Sequence, residues 1–118
     1  MFARMTFLQV NPENIKQGIR LFRSSVIPEC KKQKGYQGAC LLVDWQAGKG
    51  IAVTFWRSEK DLRASEENRF YQDQLVKFLH LFVGPPIREG YEVTIHSLVP
   101  PAKKPKRKSV RKKKKARK

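Results

Sequence analysis

Residues 38–56 read GACLLVDWQAGKGIAVTFW. Two apolar runs stand here, 38–44 (GACLLVD) and 50–56 (GIAVTFW), joined by a short link through Gln46, Ala47 and Gly48. The spacing predicts two strands in an antiparallel hairpin. Each run is apolar at nearly every position, where a strand wet on one side would alternate, so both faces of the hairpin expect cover.

Toward the N-terminus, residues 2–10 (FARMTFLQV) carry another strand pattern, rich in β-formers and free of Gly and Pro. Asn11-Pro12-Glu13 follows, with Asn suited to an N-cap and Pro to the first helical turn. Ile15, Ile19, Phe22 and Val26 then recur at the spacing of one helix face. Pro28 should kink or end that helix near its last turn, Lys31, Lys32 and Lys34 suit its C-terminal end, and Gly35 stops it.

Toward the C-terminus, Ser58 opens a second helix, with Asp61 as its capping-box partner and Glu59 in the first turn. Leu75, Phe78, Leu79 and Phe82 supply its buried stripe, and Gly84-Pro85-Pro86 breaks it. Residues 91–99 (YEVTIHSLV) alternate through Tyr91, Val93 and Ile95 and predict a fourth strand. Pro100 and Pro101 end the domain. The order βαββαβ is the ferredoxin-like, split βαβ arrangement. This is an α+β fold in which two helices cover one face of a four-stranded antiparallel sheet. A second copy is the economical cover for the other face, so a homodimer is expected.

The chain has 118 residues and a formal charge of +16, room for one domain. Residues 102–118 hold twelve Lys or Arg and no acid, which leaves fourteen basic against ten acidic side chains, or +4, in residues 1–101. The division expected is therefore a globular domain over 1–100 and a low-complexity tail over 101–118 that cannot bury enough apolar surface to fold alone. Its cations are Lys103, Lys104, Lys106, Arg107, Lys108, Arg111, Lys112, Lys113, Lys114, Lys115, Arg117 and Lys118. They suit a polyanion, with nucleic acid as the non-specific case. Residues 103–108 (KKPKRK) also have the form of a nuclear import signal, which has meaning only in a eukaryotic source. Without a 20-residue apolar run or a leader pattern, a soluble, cytoplasmic protein with no membrane span is expected. Cys30 and Cys40 lie in no CxxC and at no metal spacing from a His, so both read as small buried hydrophobes.

Candidate site residues are few. Arg4 and Thr6 share a strand face with Phe2 and Leu8. Arg4 is either an anchor for an anionic substrate group or the partner of an acid elsewhere in the sheet. Phe22 and Trp56 either wall an apolar pocket or pack the core. His80 and His96 are candidate general bases, although the sequence places no carboxylate or nucleophile beside either. Tyr36 and Tyr71 either donate to a quinone or phenol oxygen or make surface or dimer contacts. No phosphate loop, nucleophile elbow or metal cluster is present, so any enzyme here is expected to work without a metal or cofactor.

Val53-Thr54-Phe55-Trp56-Arg57-Ser58-Glu59 resembles a strand-to-helix signature of the antibiotic biosynthesis monooxygenase-like family, within the dimeric α/β-barrel superfamily. Ala3-Arg4-Met5-Thr6, Val26-Ile27-Pro28 and Gly35-Tyr36 are similar supports, and the resemblance covers residues 1 to about 98. It implies a dimeric α/β barrel and, as activity, a cofactor-independent oxygenase of a small aromatic substrate. The alternative is a non-catalytic dimeric domain tethered to an anionic partner by its tail. The haem-degrading branch places Asn, Trp and His where this chain carries Thr6, Ser65 and Leu75. None of these matches, and Leu75 offers iron no donor atom.

Overall fold

The computed structural model describes residues 1–98. The tail cations and the Pro100–Pro101 junction lie outside the described residues. Four strands, β1 (Phe2–Gln9), β2 (Tyr36–Asp44), β3 (Lys49–Trp56) and β4 (Ile87–Glu92), form one antiparallel sheet in the order β2-β3-β1-β4. This is the ferredoxin-like arrangement that the element order predicts. The hairpin closes on Gly48, whose positive φ of 72° suits a residue without Cβ. A Cβ there would strike the Val10 carbonyl oxygen, and the Val10 N–H donates to the Gly48 carbonyl at 2.8 Å.

The first helical stretch runs as α1 (Ile15–Leu21), a π turn (Phe22–Val26) and α2 (Ile27–Cys30). Pro28 does not end it. A proline without an N–H cannot continue the regular ladder, and the wide turn just upstream takes up the mismatch so that the helix carries on to Cys30. Ile15, Phe22, Val26 and Cys30 face the sheet and are buried.

The second stretch is two helices where the sequence predicts one: α3 (Glu59–Glu67) and α4 (Phe70–Val76), followed by a 3-10 turn at Leu79–Leu81. Arg69 takes a left-handed conformation, φ 73°, and the Asn68 side chain accepts from the Phe70 N–H at 2.9 Å. This local bond replaces a helical one and re-aims the chain. The stripe is corrected with it, since Leu79 is exposed and Leu81 is buried. Ser58 does cap α3, accepting from the Asp61 N–H at 3.1 Å. The Asp61 carboxylate instead receives Arg57 at 3.2 Å and packs on Gly35, where a Cβ would collide with it.

The fourth strand lies at Ile87–Glu92, not 91–99. Its partner β1 begins at Phe2, opposite Glu92, so the chain runs past the end of the sheet and only the Val93 N–H still reaches the Met1 carbonyl. An alternating pattern without a neighbouring strand makes no ladder. Ile95 is exposed there, and His96, expected on this strand, lies in the irregular segment.

The two faces of the sheet differ. Phe2, Arg4, Thr6, Leu8, Ala39, Leu41, Val43, Ala52, Thr54 and Trp56 turn toward the helices, as strand register and shared neighbours require. Cys40, Leu42, Ile87 and Tyr91 turn the other way and are exposed. The burial of both hairpin faces expected from composition is thus met fully on the helix face and in part on the other, where Val53 is buried while Cys40 and Leu42 are exposed. Cys30 is buried as expected, whereas Cys40 is exposed.

Candidate functional site

Between the sheet and the helices lies a cavity of about 100 Å³. Its walls are mostly apolar: Leu8, Leu41 and Ala52 from the sheet, Ile15, Ile19, Phe22 and Val26 from the first helical stretch, and Phe70, Leu75, Phe78, Leu81 and Phe82 from the second. An apolar cavity of about 150 Å³ holds one benzene ring, so a single ring is the upper limit here and needs the wall side chains to shift. Arg4, Thr6, Thr54 and Tyr71 meet at one end, while Gln74 and, at the other end of β3, Lys49 also line the cavity.

Each of these is positioned by an identifiable element. Arg4 sits in the middle of β1, opposite Thr54 on β3. Its Nη1 donates to the Ser65 hydroxyl at 2.8 Å and to a Glu66 carboxylate oxygen at 3.3 Å. Its guanidinium carbon lies 4.6 Å from the Tyr71 ring centre and 5.3 Å from that of Trp56, within cation–π range. Thr6, two residues along the same face, donates its hydroxyl to the Tyr71 oxygen at 3.3 Å. Trp56 is fully buried, with its Nε1–H on the Thr54 hydroxyl at 2.9 Å and its ring edge-on to Phe70 and Tyr36. The bend at Asn68–Arg69 brings both sides together, because Ser65 and Glu66 end α3 and Tyr71 begins α4.

Burial lowers the pKa of the Arg4 guanidinium, with Glu66 opposing that shift. The Cys30 thiol, also on the cavity wall, is pushed up to about 11 by burial and stays neutral near pH 7.

Among the residues singled out in the sequence, Arg4, Thr6, Phe22 and Tyr71 meet at this cavity, with Trp56 packed beneath Arg4. The two histidines are elsewhere. His80 lies exposed in the 3-10 turn, 3.3 Å from the Gln17 side chain, and His96 is exposed beyond β4. The acid that pairs with Arg4 is on α3, not in the sheet. Glu66 and Arg88 escaped the sequence reading, and Ser65 entered it only as a mismatch to the haem-degrading pattern. Arg88, on β4, has its guanidinium 5.1 Å from the Tyr71 ring and its Nε 3.8 Å from Glu66. The available signal was Arg4 itself, since a cation in mid-strand on a buried face demands a carboxylate.

Three or more metal-ligating side chains do not gather anywhere among the described residues, and no helix there is long and apolar enough to cross a membrane.

No family model matches the chain. It is 33% identical over 94 residues to the uncharacterized protein Rv2557 of Mycobacterium tuberculosis H37Rv, a match covering 79% of this chain and 41% of that protein. A second uncharacterized protein of that organism, Rv2558, is 36% identical over 67 residues, or 57% of this chain and 28% of the other. The chain therefore spans less than half the length of these curated relatives. Among solved structures, the monooxygenase from the gene ActVA-Orf6 of Streptomyces coelicolor, in complex with nanaomycin D, superposes with a TM-score of 0.65 at 17% identity. That match covers 86% of this chain and 92% of the other. SnoaB, a cofactor-independent oxygenase of Streptomyces nogalater, gives 0.62 at 12% identity over 86% and 97%. A candidate antibiotic biosynthesis monooxygenase of Deinococcus radiodurans gives 0.66 at 13% over 84% and 98%. The chain has the four-stranded α+β fold of the antibiotic biosynthesis monooxygenases.

Proposed function

We propose that the chain is a small-molecule enzyme of this fold, a cofactor-independent oxygenase acting on a single-ring phenolic substrate. The observation that carries the reading is the cavity. Its walls are mostly apolar, which suits an aromatic ring, and Arg4, Thr6, Thr54 and Tyr71 form a polar cluster at one end of it. The fold neighbours include a monooxygenase in complex with nanaomycin D and a cofactor-independent oxygenase, which supports the same class. In this reading Thr6 and Tyr71 bind the substrate oxygen and pass a proton there, while the hydrophobic walls orient the ring and exclude water. The phenol O–H loses its proton, and the anion's charge reaches a ring carbon, which supplies the electrons. Dioxygen adds to that carbon and is protonated to a hydroperoxide; loss of the ring C–H proton with O–O cleavage then leaves one oxygen as a quinone carbonyl and releases the other as water.

Oxygen uptake with a panel of single-ring phenols and hydroquinones tests this. Turnover above the buffer rate is expected, and Tyr71→Phe should lower it by about 10²-fold with the fold intact. A panel in which the rings bind but oxygen uptake never exceeds background would leave the cavity a binding site and reject the enzyme.

Two further parts belong to the same proposal. The open sheet face, with Leu42, Ile87 and Tyr91 exposed on it, is the surface for a second copy. Apolar sheet faces require cover, and sheet-on-sheet packing is a standard solution. The twelve cations of the tail bind polyanions by counterion release, with little sequence preference.

A further inference from the structure

We propose that Glu66 is an internal stand-in for a ligand carboxylate, and that the cavity takes a one-ring aromatic carboxylate whose anion displaces Glu66 from Arg4. The inference rests on the cavity reading above and adds the charge of the occupant.

Arg4 is almost fully buried, and burying a cation demands a full set of partners. Only Nη1 is engaged, on Ser65 and Glu66; Nε and Nη2 have no hydrogen-bond partner among the described residues. Those two nitrogens form the side-on edge of the guanidinium, which matches a carboxylate in a bidentate pair. Arg4 also lines the cavity, so a ring held between the apolar walls can present a carboxylate to it.

Glu66 is shared rather than committed. The oxygen that Arg4 contacts at 3.3 Å is also 3.8 Å from the Arg88 Nε. Two guanidiniums thus converge on one carboxylate, and the trio keeps one net positive charge. Side-chain exposure rises outward, from 3% at Arg4 through 19% at Glu66 to 43% at Arg88. Glu66 can therefore turn from the buried arginine to the outer one without losing a counterion. Beyond them Glu59 and Arg63 pair at 2.7 Å, and Glu92 lines the same outer depression as Arg88, so the carboxylate left over lies outside. A ligand carboxylate on Arg4 would free Glu66 for Arg88 and give each arginine of the trio its own carboxylate.

The test uses the full-length chain at moderate salt, with benzoate and its neutral counterpart benzamide titrated by calorimetry. Benzoate should bind at least about tenfold more tightly than benzamide, the scale of one charge-assisted pair. Glu66→Gln removes the competitor and should tighten benzoate several-fold. Arg4→Lys should abolish the preference for the anion. If that variant fails to fold, Arg88→Gln serves instead: it should weaken benzoate a few-fold in the native background and have no effect beside Glu66→Gln. None of these changes touches the tail, so its non-specific anion binding cancels. Equal affinity for benzoate and benzamide overturns the ionic assignment and leaves the aromatic cavity standing. Binding of neither overturns both. Benzoate binding that Glu66→Gln weakens or leaves unchanged overturns the stand-in role.

Discussion

The two faces of one sheet have been put to opposite uses. On the covered face, β1 and β3 present Arg4, Thr6, Thr54 and Trp56 to the helices, and these polar and aromatic groups are among the most buried in the chain. On the open face, Leu42, Ile87 and Tyr91 are about half exposed. A simple rule of apolar inside and polar outside would exchange them. The covered face can hold polar side chains because each finds a partner on α3, α4 or a neighbouring strand. The open face can hold apolar ones if another surface covers it.

The strongest way to break the contrast is at Trp56, which joins the covered face to both helical stretches. Trp56→Ala should cost about 3–5 kcal/mol, read by chemical denaturation. A loss below about 1 kcal/mol would mean that this face is not the main core.

Cys30 gives the covered face a pH signature. Its thiol is pushed from 9.0 up to about 11 by burial. Below pH 9 the thiol is neutral in both states and its contribution is complete. Between pH 9 and 11 only the unfolded chain ionises there, so stability falls by about 2–3 kcal/mol. Above that range both states ionise and the loss levels off. Comparing unfolding free energies of the native protein and Cys30→Ala from pH 8 to 11 isolates the effect. Parallel curves would contradict the buried placement of Cys30.

On the open face, Leu42→Asp should leave folding of the monomer nearly intact and weaken self-association by at least about tenfold, or 1.4 kcal/mol. Sedimentation of the native protein should give twice the chain mass, and the variant should move toward the single chain. A native protein that is monomeric at micromolar concentration would leave this face for a different partner.

The smallest effect is expected from removing residues 102–118. The melting temperature should hardly move, because the sheet ladder already ends at Glu92 and the tail's twelve cations have no acid in their own segment. Duplex binding, tested on two unrelated sequences at low and moderate salt, should be lost with the tail. Salt-resistant, sequence-selective binding by the truncated chain would place nucleic-acid recognition in the folded domain.

Much of this molecule was legible in one dimension. The hairpin at 38–56 follows from two apolar runs and a short link, and the second helix start follows from Ser58, whereas Asn11 makes no side-chain cap bond and Pro12 opens a 3-10 turn that leads into α1 at Ile15. These signals are local, because caps, turns and periodicity depend on residues within one or two turns of each other. The tail cations are equally plain from composition.

The misreadings share one cause, dependence on a distant neighbour. Residues 91–99 alternate like a strand, yet strand formation needs a partner, and β1 begins opposite Glu92, leaving no strand beside the residues that follow. The stretch after Ser58 looks like one helix until Asn68 bonds the Phe70 N–H and Arg69 turns left-handed. That bend decides the site, since it carries Ser65 and Glu66 to one side of Arg4 and Tyr71 to the other. Sequence could nominate Arg4, Thr6 and Tyr71 by residue type. The 61 positions separating Arg4 from Ser65 are closed by folding alone. Burial then forces the choice of partner, because a desolvated guanidinium is tolerable only beside a carboxylate that no local pattern announces.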